Sequence, residues 1–140
     1  LDGFLIEEKQ YVAAGSAGKE AAATVEKLFG CIGRVFFCQE KQMVPGMLMA
    51  SCGIAYVLRF LRAQSEAGVE MGFYPGDALK IAIQTMKGAA ALLNGTGEHP
   101  EAAIDRVTTP GGFTVKGLNE LEHTGFNSSV IKAFKTGFEK

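Results

Sequence analysis

The densest chemical signal in the chain is the run Thr108-Thr109-Pro110-Gly111-Gly112-Phe113-Thr114. Pro110 fixes a turn by locking φ. Gly111 and Gly112 permit backbone geometry and close approach that a side chain forbids. A helix starting near Gly112 would present unpaired N–H groups and the positive end of its dipole. Three threonines add hydroxyls. Together these groups make a cradle for a small anion, carboxylate or phosphate. The plainer alternative is an interhelical turn with threonine caps, since no basic residue lies inside the run.

A second stretch, Ser51-Cys52-Gly53-Ile54-Ala55-Tyr56, lies in an apolar segment. Its small residues let another backbone or a flat ligand lie close. Tight helix–helix packing is the alternative. Cys52 has no neighbouring base in sequence, so it does not read as a nucleophile. His99 and His123 are the only histidines. His99 precedes Pro100 at a helix start, and His123 falls in a helix's last turn, where a cation is favoured. Both read as structural. Glu120 and Glu122 read as solvated charge. There is no G-x-G-x-x-G and no Walker A motif, so any nucleotide would be held by a motif outside these residues.

Composition narrows the classes. A chain of 140 residues has room for about one domain with one sizeable core. With 47% hydrophobic and 21% charged residues it is not disordered throughout. Lys and Arg total 14 and Asp and Glu 15, a net charge of -1. That balance gives no electrostatic reason to expect nucleic acid or an anionic membrane as partner. Cys31, Cys38 and Cys52 form no C-x-x-C and have no histidine at zinc-ligand spacing. No disulfide framework and no metal site is expected, and reduced cytoplasmic thiols are. The first residue is Leu and no signal peptide is evident, so a fragment of a longer protein is expected.

The elements that must position these residues fall in two parts. Residues 1–40 read as strand, helix and strand, the end of an α/β domain. Tyr11-Val12-Ala13 form one apolar run. Ser16 or Ala17 opens a helix with Ala21, Val25, Leu28 and Phe29 at helical spacing, and Val35–Cys38 read as a strand. Residues 41–140 read as helices only: about Met43 to Ala67 with Gly68 as C-cap, Pro75 to Asn94-Gly95, Pro100 to Arg106, Gly112 to Gly125, and one capped by Asn127 or Ser128. Residues 43–58 carry no charge, yet the run is short for a bilayer and holds Pro45 and Gly46. A buried helix is expected. A helix apolar all round must be covered on all sides, which a chain this small can hardly do alone, so an oligomer is expected too.

Ala55-Tyr56, Ala67-Gly68-Val69, Gly72, Pro75, Gln84-Thr85, Gly88-Ala89-Ala90, Glu98-His99-Pro100, Val107 to Gly112, Thr114 and Gly125-Phe126 occur in a telling order and spacing. In both respects the chain resembles the C-terminal half of the pyrroline-5-carboxylate reductases, over about residues 20–140. The resemblance implies a mainly α fold: a helical dimerisation domain like the 6-phosphogluconate dehydrogenase C-terminal domain, behind a remnant of a Rossmann domain. It implies reduction of 1-pyrroline-5-carboxylate to L-proline with NADPH or NADH, the nucleotide being held mainly by an N-terminal domain. The partners implied are a second copy, in some relatives a ring of dimers, and a small imino acid.

The resemblance also implies site roles. Thr109, Gly111, Gly112, Phe113 and Thr114 would hold the substrate carboxylate, with Thr114 hydrogen-bonded to the ring nitrogen. Ser51 and Gly53 would lie near the nicotinamide. Two departures stand out. Ile54 replaces the family's helix proline, so a straighter helix is expected. Phe113 replaces a small residue or Thr, so it either narrows the pocket or turns away. The other readings are an oligomerisation module without activity of its own, which the isolated chain would be, and a reductase of another cyclic imine or hydroxy acid.

Overall fold

The computed structural model describes residues 10–13 and 18–138. The architecture is mainly α. Strand β1 (Gln10–Ala13) pairs in parallel with β2 (Val35–Cys38), with Tyr11 opposite Phe36. Helix α1 (Lys19–Phe29) connects them, the usual way to cross between parallel strands. Its N-cap is Gly18, whereas Ser16 and Ala17 lie outside the described residues. The remaining helices are α2 (Met43–Met47), α3 (Gly53–Glu70), α4 (Pro75–Thr96), α5 (Pro100–Arg106), α6 (Phe113–His123) and α7 (Phe126–Thr136).

The chain forms two compact units, one of residues 1–54 with 134–140 and one of residues 55–133. These units do not follow the change in sequence character at residue 40, because α3 and α7 each run from one unit into the other.

In the first unit, a π-helical turn at Leu48–Cys52 separates α2 from α3. The helix expected to run straighter without its proline therefore has an interrupted α ladder. The π turn closes with the Gly53 N–H donating to the Leu48 carbonyl, an i→i+5 bond.

In the second unit, α3 continues past Gly68 instead of stopping there. Gly68 is buried inside the helix, and a Cβ on it would come 3.0 Å from the Ala78 Cβ. The glycine lets α4 cross closely, over the buried Ala78 and Ala82. The stop lies at Gly72, in the left-handed region at φ 103°. Gly72 N–H donates to Val69 O and Phe73 N–H to Gly68 O, the paired bonds of a Schellman motif. Helix α4 likewise runs to Thr96, ending on left-handed Gly97 rather than at Gly95. Helix α7 starts at Phe126, so Asn127 sits inside it, with its amide hydrogen-bonded to Glu122 Oε1. The Tyr56 hydroxyl donates to Ala133 O at 3.3 Å, and the Phe60 and Phe126 rings meet edge to face at 5.9 Å. Both tie α3 to α7.

The core is thin. Among the described residues the buried apolar side chains are Leu48, Ala78, Ala82 and Ala103, and no large side chain is fully enclosed. Leu58 is 56% exposed and Ile81 and Ile83 are each 49% exposed. Over Glu40–Glu70, the helical stretch long and apolar enough to cross a membrane, only 11% of the apolar window is buried. The expected burial of this helix is therefore not supplied by its own chain.

Candidate functional site: the Pro-Gly-Gly loop and the π turn

Helix α5 holds the entry to the loop. His99 is its N-cap, and the His99 Nδ1 accepts the Glu101 N–H at 3.3 Å. Pro100 occupies the first helical position, where no N–H is needed. Arg106, at the other end, grips Glu98 with two nitrogens: Nη1 donates to Oε1 at 3.0 Å and Nη2 lies 3.0 Å from Oε2. This ion pair links the last residue of α5 to the residue just before its N-cap. The Glu-His-Pro segment thus has a positional job. His123 is exposed, 3.9 Å from Glu120 in the last turn of α6.

The chain leaves α5 through Val107 and Thr108, whose N–H groups donate to Ile104 O and Asp105 O. The Thr108 hydroxyl donates to Ile104 O at 2.8 Å. It is engaged by the helix backbone, so of the three threonines around the loop only Thr109 and Thr114 have hydroxyls turned to other uses.

The two glycines do different things. Gly111 takes φ 71°, the left-handed geometry that L side chains resist. Gly112 is extended, and its N–H donates to Thr109 O at 3.0 Å to close the turn. A Cβ on Gly112 would lie 2.4 Å from Thr109 Oγ1, so only glycine leaves that hydroxyl where it is.

Gly112 is also the N-cap of α6, and no side chain caps the helix there. The first N–H groups of α6 are therefore open to an external acceptor. Thr114 is exposed one position inside the helix, and its hydroxyl has no hydrogen bond among the described residues. Phe113 is 93% exposed, with Lys116 Nζ 6.0 Å from its ring centre. Its ring is open to solvent, as the loop beside it is. Thr109, Gly111, Gly112 and Thr114 thus follow one another through an exposed, donor-rich turn and helix start, whose donor groups suit a carboxylate with a neighbouring acceptor.

Ser51 and Gly53 belong to the other unit. Ser51 is exposed on the π turn. Gly53 is buried, and a Cβ on it would meet the Phe134 ring at 3.5 Å. The close approach that Gly53 allows is taken by its own chain. Ser51, with Ala50 beside it, is left as the part of the stretch that a flat ring could border. The described residues contain no His, Cys, Asp or Glu grouping able to hold a metal. The π turn itself is invisible in the residue pattern and is the feature that sequence reasoning missed.

Known proteins share the sequence and the fold of this chain. Residues 40–140 match the family profile described as pyrroline-5-carboxylate reductase dimerisation. Pyrroline-5-carboxylate reductase 1 of Dictyostelium discoideum is 45% identical over 124 residues, 89% of this chain and 22% of the relative. The pyrroline-5-carboxylate reductase of Glycine max is 37% identical, over 85% of this chain and 43% of its own length. The crystal structure of the Plasmodium falciparum pyrroline carboxylate reductase with NADP bound superposes with a TM-score of 0.78 at 26% identity, over 86% of this chain and 49% of that one. The Coxiella burnetii pyrroline-5-carboxylate reductase gives a TM-score of 0.82 at 25% identity, over 89% and 48%. The chain spans less than half the length of each of these relatives. With its helical region matched throughout, the chain belongs to the pyrroline-5-carboxylate reductase family and carries that family's dimerisation domain.

Proposed function

We propose that this chain is the dimerisation and substrate-loop half of an enzyme that reduces 1-pyrroline-5-carboxylate to L-proline with NADPH or NADH, in the cytoplasm. The observation that carries the reading is the loop: an uncapped α6 N-terminus beside the Thr109 and Thr114 hydroxyls, in a shape that Gly111 and Gly112 alone permit. The substrate carboxylate accepts hydrogen bonds from the first N–H groups of α6 and from Thr109. The dipole end of the helix favours that negative charge. The Thr114 hydroxyl donates to the ring nitrogen and fixes the plane of the C=N bond.

When bound, the nicotinamide supplies hydride to the imine carbon, and the nitrogen gains a proton to give the secondary amine. The residues here contribute orientation and polarisation. Ser51 borders the nicotinamide. The rest of the nucleotide is held by a separate N-terminal domain, since these residues include no glycine fingerprint.

The exposed apolar helices are covered by a second copy of the chain, and dimers assemble further in a ring. The dimerisation match supports the second copy as cover in preference to a bilayer. On this reading the 140 residues alone form dimers and catalyse nothing.

The deciding experiment is NAD(P)H oxidation by the full-length protein on addition of 1-pyrroline-5-carboxylate, beside the six-membered cyclic imino acid. Turnover confined to the five-membered ring is expected. No turnover with either nucleotide would overturn the reading.

Gly112→Ala tests the loop. Displacing the Thr109 hydroxyl should raise KM for the imino acid about tenfold, the equivalent of ~1.4 kcal/mol. Steady-state kinetics at saturating nucleotide gives the number, and an unchanged KM would remove Thr109 from the site.

A further inference from the structure

We propose that the end of α7 and the residue that follows it are a positioning element for the nucleotide side of the site, because Phe134, in the last turn of α7, and Gly137, just after it, pack against the two ends of the π turn that carries Ser51. The proposal rests on the reading that Ser51 borders the nicotinamide.

A π turn is rare. Its register is poorer than the α register unless something outside the helix holds it. Here both ends are held by one short segment. At the far end, the Phe134 ring lies where a Gly53 Cβ would be in contact, 3.5 and 3.6 Å from its Cε1 and Cζ. Gly53 is also the residue whose N–H makes the i→i+5 bond to Leu48 O. At the near end, Leu48 is buried, and its Cδ2 would come 2.7 Å from a Cβ on Gly137. Thus Gly137 is small where Leu48 needs room, and Phe134 is large where Gly53 leaves it.

Register matters because each residue turns a helix by about 100°. Relaxing the π turn to α register would rotate Ser51 and Cys52 around the axis relative to α3. An apolar cleft of about 190 Å³, lined by Pro45, Leu48, Met49, Phe134, Lys135 and Phe138, opens beside the turn. It leaves space for that repacking once the ring is gone. Phe134 meets the turn at Gly53. Its effect passes through Gly53 and the backbone of the turn.

The test is Phe134→Ala in the full-length protein, with Phe134→Leu as a milder companion that keeps apolar bulk. Two quantities are read. The first is hydrogen exchange of the peptide covering residues 48–54, with peptides from α5 and α6 as internal controls. The second is the Kd of NADPH by fluorescence titration, which requires no turnover. In Phe134→Ala, exchange at residues 48–54 should speed up at least tenfold while the controls stay unchanged. The NADPH Kd should rise about fivefold or more. KM for the imino acid should stay within twofold. Phe134→Leu should fall between Phe134→Ala and the unaltered protein in both readings, and if Phe134→Ala does not fold, Phe134→Leu alone decides.

Unchanged exchange at residues 48–54 would overturn the clamp. Faster exchange with an unchanged NADPH Kd would overturn its link to the nucleotide. A protein that binds NADPH but leaves 1-pyrroline-5-carboxylate untouched would sink the proposed reaction and still allow the clamp to be judged.

Discussion

If a second copy covers the exposed helices as proposed, replacing Leu58 by Glu should leave the protein unfolded or aggregated, with loss of the cooperative thermal transition. The expectation follows from the thin core. Among the described residues, the buried apolar side chains are one leucine and three alanines, with no large side chain fully enclosed. A chain of this length normally removes about two thirds of its unfolded surface from water by folding alone. Here Leu58, Ile81 and Ile83, on α3 and α4 of one unit, remain about half exposed.

At ~25 cal/mol per Å² of apolar surface, covering several such side chains is worth several kcal/mol, on the scale of a domain's whole stability. A partner that supplies this cover makes folding and association one event. The apparent Tm of the unaltered protein should then rise with protein concentration. In Leu58→Glu a carboxylate would have to enter that apolar contact unpaired, which is costly. Size-exclusion chromatography and thermal melts at two concentrations check both statements. A Leu58→Glu protein that stays dimeric with an unchanged Tm would show that this face is not the interface.

The same residues show which parts of the structure could be read from the chain. Helix α5 was legible to the residue, because Pro100 and the capping His99 are local signals that act where they stand. The end of α3 was not. Gly68 reads as a cap, yet it serves a crossing with Ala78 on another helix, and the true stop at Gly72 is made by hydrogen bonds back into the last turn.

The π turn was less legible still. Leu-Met-Ala-Ser-Cys has nothing that distinguishes it from ordinary helix. Its register is matched to residues far away in sequence, the Phe134 ring and the space that Gly137 leaves for Leu48. At the candidate site, the turn was legible from Pro110, Gly111 and Gly112, whose types dictate backbone shape. The engagement of the Thr108 hydroxyl by Ile104 O was not, since a threonine after a helix can turn either way. Signals carried by backbone restriction survive in the sequence, and those carried by long-range packing do not.

Thr114→Ala should lower kcat/KM for 1-pyrroline-5-carboxylate by about 5- to 150-fold, the equivalent of ~1–3 kcal/mol of lost transition-state stabilisation. The argument is geometric. Thr114 sits one residue inside α6, next to the open N–H groups, with an exposed hydroxyl that no described residue engages. A carboxylate on those N–H groups brings the adjoining ring atoms to the same side of the helix start. A donor there meets the nitrogen as its charge and protonation change.

The loss should fall on kcat more than on KM, because carboxylate binding depends on backbone N–H groups that the substitution leaves in place. Thr114→Ser keeps the hydroxyl and should stay within about threefold of the unaltered protein. Thermal stability should hardly move, since the methyl and hydroxyl are exposed and unpaired. Equal loss in Ala and Ser variants would assign the effect to packing. An unchanged kcat/KM in Thr114→Ala would remove the hydroxyl from the reaction and leave the helix terminus alone as the carboxylate site.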